Sequence, residues 1–482
     1  MPAARRGPAQ CHNLFHDIMS QPDEGPSNWY QATQVAAPQR QRLTFELDAD
    51  VCVVGAGFAG LTLAREVARR GWSVVVLEAA QVGWAASGRN TGFVLPGFSE
   101  GIDDIIERIG LDHAKQLWQL SQGGVDYVRA AIADEAMPGV DPVDGWLHVS
   151  KSDAGRQTEA QVERLRWLGA DVEFWPVERV RGVLPSDRYF SAAHFPRAFH
   201  IHPLNYALGL AAAAEKAGVR IFEDTPAVSI DPAGVRKRVQ TPAAMVRATH
   251  VVLAGNVHLD SLMPRLAATL IPLNTYVMVT EPIPGLHETI RTRGAVSDTD
   301  RADNHYRIVG GDDPAAQRLM WSGHVTLNEV APRKFARSLA ASVTRIFPNL
   351  GEVKASHVWS GTFGRTLHRM PQIGEIQPGL WVASGFSGHG INNTAMAGEL
   401  IARGIVERDD TWRLFAPYEL VWAGGKAGRY VAKALYLGRR QKTLVEEALA
   451  RARERSRRRR ALKDEARKVS RKAAAADAPP QA

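Results

Sequence analysis

Asp50-Val51-Cys52-Val53-Val54-Gly55-Ala56-Gly57-Phe58-Ala59-Gly60 decides how the rest of the chain is to be read. Asp50 to Val54 is a short apolar run, rich in β-branched residues and bounded by glycine, which predicts a buried strand. From Leu61 to Arg70 the apolar residues Leu61, Ala64, Val67 and Ala68 recur at helical spacing, and Gly71 closes that helix. Ser73-Val74-Val75-Val76-Leu77 is a second strand, ending at Glu78. Strand, helix, strand is the opening of a parallel sheet.

The glycines have separate tasks. Gly55 permits the tight turn, Gly57 lets the backbone approach a pyrophosphate, and Gly60 lets helix and strand pack closely. The helix start turns free N–H groups toward the phosphates. Glu78, 18 residues past Gly60, can accept from ribose hydroxyls. A bare tight turn would have the same glycines, but not the flanking strand, helix and acid together. The fingerprint fits NAD or FAD.

Two further loops bear on that choice. Ser87-Gly88-Arg89-Asn90-Thr91-Gly92 follows the acid closely, offering small residues for close approach and Arg89 and Asn90 as donors to phosphate, ribityl or ring oxygens. The alternative is a polar surface loop. Gly385-Phe386-Ser387-Gly388-His389-Gly390-Ile391 joins a strand to a helix start, which can stabilise negative charge. His389 can act there as a general base or donate a single hydrogen bond.

The remainder alternates. Residues 101–135 read as helix, and the stretch from Gly145 to about Pro196 as short strands, among them Trp146–Val149 and Val172–Trp175. Helices are predicted at Leu204–Lys216, Pro332–Ile346 and Asn392–Val406, and strands at Thr249–Ala254, Thr275–Thr280, Tyr306–Val309, Leu319–Ser322 and Leu380–Ser384. With 482 residues, 45% of them hydrophobic and 23% charged, the chain is globular and long enough for several domains. No apolar run reaches the roughly 18 residues needed to cross a bilayer. Two cysteines, Cys11 and Cys52, exclude a disulfide framework. The N-terminus lacks an apolar leader, so a cytoplasmic location is expected. The net charge of +8 resides in the tail: residues 439–472 carry 15 basic and 5 acidic side chains and Asp477 adds one negative charge, leaving residues 1–438 at −1.

These motifs, with His200-Ile201-His202-Pro203-Leu204-Asn205, Ala254-Gly255-Asn256 and Trp359-Ser360-Gly361, make the chain resemble the D-amino-acid-oxidase-like FAD oxidoreductases. Over roughly residues 45–405 it is most similar to the gamma-glutamylputrescine oxidase type within them. The resemblance implies an α/β fold: a Rossmann-like, glutathione-reductase-like FAD-binding domain interrupted by a mainly antiparallel β-sheet substrate domain with helices. The expected segments are an arm (1–43), FAD-binding parts (44–143, 196–268, 352–405), substrate-domain parts (144–195, 269–351), an extension (406–438) and a basic tail (439–482). FAD is the implied cofactor, held by Gly55, Gly57, Phe58, Ala59, Gly60, Glu78, Ala79, Ser87, Gly88, Arg89, Asn90, Gly92, Val228, Gly255, Gly385, Ser387, Gly388, Gly390 and Ile391. The sequence departs from the pattern at Thr91, Trp321 and Phe386, and in its Arg-rich tail.

The implied chemistry is oxidation of a C–N bond in an amine or amino acid, the resulting imine hydrolysing, with O2 or a quinone as final acceptor. Tyr306 and Arg307 are the candidate substrate-side residues, with His389 as a third. Arg307 can clamp a carboxylate and Tyr306 bond the same group; the plainer alternative is a solvent-facing Arg beside a core Tyr. Tyr276, His305 and Trp321 rank behind them. A Cys-linked flavin is not expected, a histidyl link stays open, and His200 with His202 lacks a third ligand for a metal. Trp29 and Tyr30 can pin the arm to the body. For the tail, a solvated charged helix is set against contact with anionic lipid or nucleic acid, the latter joined to a structural FAD.

Overall fold

The computed structural model describes residues 28–299 and 304–424, with Ser456 alone beyond them. Cys11, most of the predicted arm, the apolar positions between Leu435 and Leu449 and the Arg457–Arg460 run lie outside the described residues.

Two sheets organise the molecule. The first holds β1 (Leu47–Val54), β2 (Val74–Leu77), β7 (Arg220–Phe222), β8 (Ser229–Asp231), β9 (Lys237–Gln240), β10 (Met245–Leu253), β16 (Gln372–Gln377) and β17 (Leu380–Ser384). Its central path runs β16-β17-β10-β1-β2-β7. All neighbours from β17 to β7 are parallel, with β16 antiparallel at the edge and the β8–β9 hairpin attached to β10. Both faces of β1 are covered, because successive side chains leave a strand on opposite sides. Val51 and Val53 pack with the helices Phe58–Arg69, Leu111–Asp134, Pro203–Lys216 and Ile391–Val406, while Cys52 and Val54 pack with β10 and β17 side chains on the other face. Cys52 is a buried small hydrophobe.

The second sheet holds β3 (Phe93–Val94), β4 (Val143–Val149), β5 (Glu173–Trp175), β6 (Ala192–His200), β11 (Ile271–Thr280), β12 (Ala295–Asp298), β13 (His305–Val309), β14 (Arg318–Thr326) and β15 (Ala355–Arg365). Its order is β15-β11-β14-β13-β12-β4-β6-β3, with β5 on β6. Every pair is antiparallel except β12 with β4, which run parallel. The glycine-rich stretch after β2 leads directly into β3, so the chain passes from one sheet to the other beside the second loop.

One predicted region is corrected. Residues 145–196 are not strands alone: Gly155–Trp167 and Val177–Val183 are helices. In the first of these only Val162 and Leu165 are buried, so one narrow apolar contact anchors an otherwise charged, strongly helix-forming segment. Residues 332–335 form a 3-10 turn before the helix Ala336–Ile346. Among the described residues no helix is long and apolar enough to cross a membrane.

Candidate functional site

The first loop has little tolerance for side chains. Gly55 has φ +108°, and a methyl group there would lie 3.0 Å from the Ala254 backbone, which is where Ala254-Gly255 of the β10 end packs. A methyl on Gly60 would sit 2.0 Å from the Gly55 carbonyl oxygen. A methyl on Gly57 would meet the Ser87 hydroxyl at 2.9 Å. The Phe58 amide donates to Ser87 Oγ at 3.1 Å, so the second loop is fastened to the helix start of the first. The N–H groups of Ala59 and Gly60, in the first turn, have no acceptor within the helix.

Glu78 closes this corner. Its two carboxylate oxygens accept from the amides of Ala56 (2.7 Å) and Ala80 (2.9 Å), with Ala79 between. Each oxygen keeps a further lone pair. Burial pushes its pKa up, and the amide donors pull it back down.

In the second loop the side chains mainly hold the loop itself. Asn90 donates to the carbonyls of Ala86 (2.9 Å) and Ser87 (2.8 Å) and accepts from the Gly92 amide (2.7 Å). Both its N–H donors are engaged, so its amide shapes the loop and is not available as the donor expected from sequence. Arg89 donates Nε–H to the Trp84 carbonyl and lies 5.0 Å over the Trp84 ring. The Arg89 carbonyl accepts from Trp359 Nε1 at 3.0 Å, which ties the loop to β15. Gly88 is buried, its carbonyl accepting from Asn28. Val228 is 48% exposed, with its amide donated to the Gln240 carbonyl.

The third loop follows β17. Gly385 and Gly388 have φ of +69° and +108°, and Ser387 also lies in the left-handed region at 56°. Ser99 donates to the Ser387 carbonyl, and Ser387 Oγ to the Gly385 carbonyl. The helix beginning at Ile391 has Gly390 at its N-cap and no side-chain cap, which leaves first-turn N–H groups open. His389 Nδ1 is buried without a hydrogen-bond partner among the described residues. Burial, then His305 and His148, push the His389 pKa down to about 4.

Tyr306 and Arg307 are neighbours on β13, so they leave the strand on opposite sides. Tyr306 goes to the far face. It is fully buried, stacked 4.5 Å on Trp321, and its hydroxyl donates to Tyr189 at 3.0 Å, in a core shared with Leu339, Val343 and Tyr276. That placement argues against the substrate role expected of Tyr306, and removes Trp321 and Tyr276 as candidates too. Arg307 lies on the face toward the glycine loops but is 6% exposed. It donates to His200 Nδ1 (2.8 Å), the Tyr30 hydroxyl (3.1 Å) and the Ile201 carbonyl (2.9 Å), and a methyl on Gly92 would come within 3.1 Å of it. Arg307 is thus a brace between β13, the end of β6 and the arm, where sequence suggested a carboxylate clamp. His200 passes the contact on to the Arg293 carbonyl, and His202 accepts from the Asn205 amide as a helix cap. Both histidines are engaged in contacts within the protein.

Sequence reasoning did not single out His148 and Ser297, and placed His305 second. All three lie on the Arg307 face of the second sheet, and Phe93, just past the second loop, packs edge-on to His305 at 5.4 Å. Only long-range register brings them together.

A glycine cradle at a helix start, an acid with spare acceptor capacity and an uncapped second helix start, at the carboxyl ends of β1, β2 and β17, define a dinucleotide-binding α/β protein with a second, mainly antiparallel sheet. The steric closeness at Gly55, Gly57 and Gly60 fits a bound dinucleotide. Residues 50–403 match the family of FAD dependent oxidoreductases, and the chain belongs to that family. It is 34% identical over 417 residues to gamma-glutamylputrescine oxidoreductase of Escherichia coli (84% of this chain, 95% of that protein). It is 31% identical over 376 residues to the probable oxidoreductase OrdL of Haemophilus influenzae (76% and 85%). Among solved structures it resembles glycine oxidase from Geobacillus kaustophilus, with TM-score 0.65 and 21% identity, covering 78% of this chain and 99% of that one. The protein is an FAD-dependent amine or amino-acid oxidoreductase.

Proposed function

We propose that the chain oxidises the C–N bond of an amine of the gamma-glutamylputrescine type, with O2 as the electron acceptor. The observation that carries this reading is the match to the Escherichia coli enzyme along 95% of that enzyme's length. The first and third glycine loops, at the carboxyl ends of β1 and β17, and the second, fastened to the first through Ser87, supply the setting.

FAD, when bound, would supply the acceptor for a hydride equivalent from the carbon beside the amine. The chain's own residues do the rest. First-turn N–H groups at Ala59 and Gly60 would hold the phosphates, and Glu78 would accept from ribose hydroxyls. The N-terminus of the helix Ile391–Val406 favours negative charge at its mouth. With a pKa near 4, His389 is neutral at physiological pH and serves as a hydrogen-bonding group, not a stored proton.

The test is peroxide release across a panel holding gamma-glutamylputrescine, putrescine, sarcosine, glycine and D-alanine, with the flavin band followed in parallel. Bleaching with stoichiometric peroxide supports the reading. Bleaching without peroxide replaces O2 by another acceptor, such as a quinone. A yellow protein that no member bleaches overturns the substrate assignment.

A further inference from the structure

Resting on that reading, we propose that His148, His305 and His389 line the pocket for the substrate's amine, with Ser297 positioning His148, and that the pocket selects amines bearing no carboxylate on the reacting carbon.

The geometry begins in the register. Ser297 on β12 pairs with His148 on β4 and with His305 on β13, and His305 pairs with Ser322 on β14. Side chains directly opposite on neighbouring strands share a face, so these four form one row across four strands. The same face carries Trp359 of β15, which touches the second glycine loop through the Arg89 carbonyl. The row therefore looks toward the cofactor loops, while the alternate residues Leu147, Val296, Tyr306 and Trp321 fill the core behind it.

A hydrogen-bonded chain orders one end of the row. Trp146 Nε1–H, a pure donor, reaches Ser297 Oγ at 2.8 Å, and the same oxygen lies 3.0 Å from His148 Nδ1. The Nε2 edge of His148 is thus turned away from Ser297. His389, on the third loop, lies within electrostatic reach of His305 and His148. Its Nδ1 is buried with no partner among the described residues, a polar edge that a ligand N–H or lone pair would satisfy.

Accessibility distinguishes the groups. His148, His305 and His389 are each half-buried, whereas Ser297, Ser322 and Arg307 are buried. Incoming substrate meets imidazoles, and the arginine two residues along is walled off by His200, Tyr30 and Ile201. Burial holds the pKa of His148, like that of His389, down near 4, so these imidazoles are uncharged at neutral pH. Neutral imidazoles can exchange hydrogen bonds with an amine. A carboxylate on the same carbon would be desolvated among them, with the terminal nitrogens of Arg307 on β13 already engaged by His200, Tyr30 and Ile201.

The experiment uses the FAD-loaded full chain. Binding of butylamine and of acetate is followed by perturbation of the flavin band, which needs no turnover, for the native protein and for His148→Gln, Ser297→Ala and His389→Asn. Steady-state kinetics with gamma-glutamylputrescine and glycine accompany it. Butylamine is expected to perturb the band and acetate not to. His148→Gln and His389→Asn should weaken butylamine binding at least tenfold with FAD content unchanged. Ser297→Ala should raise KM more than it lowers kcat. Two results overturn the proposal: acetate binding more tightly than butylamine, or butylamine binding unaltered in all three variants that retain FAD. Loss of butylamine binding in the variants, without bleaching by any amine, would leave the pocket standing and sink only the proposed reaction. Bleaching by amines with unaltered variants would do the reverse.

Discussion

Arg307 of β13 donates a hydrogen bond to the Tyr30 hydroxyl across 3.1 Å, although 277 residues separate them in the chain. The Tyr30 hydroxyl in turn donates toward the Met320 sulfur at 3.2 Å, and its ring packs against His202 and Trp359. The described end of the arm, at Asn28 and Tyr30, is therefore built into the seam between the two sheets. Asn28, two residues earlier, holds the Gly88 carbonyl of the second cofactor loop.

Tyr30→Phe should keep the ring packing and lose the acceptor for a buried guanidinium. Hydrogen bonds to charged groups are worth about 1.5–3 kcal/mol, and leaving Arg307 short of a partner puts the loss in that range. Thermal unfolding of the holoprotein should shift down accordingly, and the FAD dissociation constant should rise. A variant with native Tm and native FAD affinity would show that the arm merely rests on the body.

Gly60→Ala should abolish FAD retention. The added methyl would meet the Gly55 carbonyl at 2.0 Å, a backbone atom that cannot swing aside. Overpacking alone costs about 1–3 kcal/mol, and here any relief must move the phosphate-binding turn. Purified protein should be colourless, with a fold still visible by circular dichroism. Gly57→Ala should be milder, because its new methyl meets a single hydroxyl, Ser87 Oγ, at 2.9 Å. Full flavin occupancy in Gly60→Ala would refute the steric reading of the loop.

Tyr306→Phe separates the two faces of β13. It removes a hydroxyl that donates to Tyr189 in the core, while Tyr189 keeps its 3.3 Å contact to Asp298. A neutral hydrogen bond contributes about 1 kcal/mol, so Tm should fall slightly and kcat/KM should stay within twofold. A hundredfold loss of kcat with intact stability would put Tyr306 back at the substrate.

What the sequence made legible follows from range. The β1–helix–β2 unit, its glycines and Glu78 are local, and their periodicity and punctuation are unambiguous. Tyr306 and Arg307 were equally good candidates because a strand covered on both faces lacks the alternation that would tell inside from outside. His148 and Ser297 meet through a parallel pairing of strands 149 residues apart, and no local pattern encodes that register. Asn90 was misread for the opposite reason: its donors are satisfied three and four residues back, within its own loop. The helix Gly155–Trp167 was missed because it buries too few apolar residues to stand out.

Acid should destabilise the protein over a defined window. Burial lowers the pKa of His148, His202 and His389 to about 4 in the folded state. The unfolded chain has ordinary histidines near 6.5. Between about pH 6.5 and 4 the unfolded state therefore binds more protons, so stability falls as pH drops through that range and levels off below it. Each group contributes a slope of at most about 1.4 kcal/mol per pH unit. Glu78 works in the other direction, since its raised folded pKa favours the folded state as pH falls. Subtracting one variant from the native curve isolates a single histidine. His202→Gln suits this, because His202 caps the Pro203–Lys216 helix and is not one of the histidines of the proposed amine pocket. Loss of the cap should lower Tm at pH 8, and the difference between native and variant should shrink steadily from pH 6.5 to 4.5. A constant difference across that range would mean that His202 titrates normally in the folded protein.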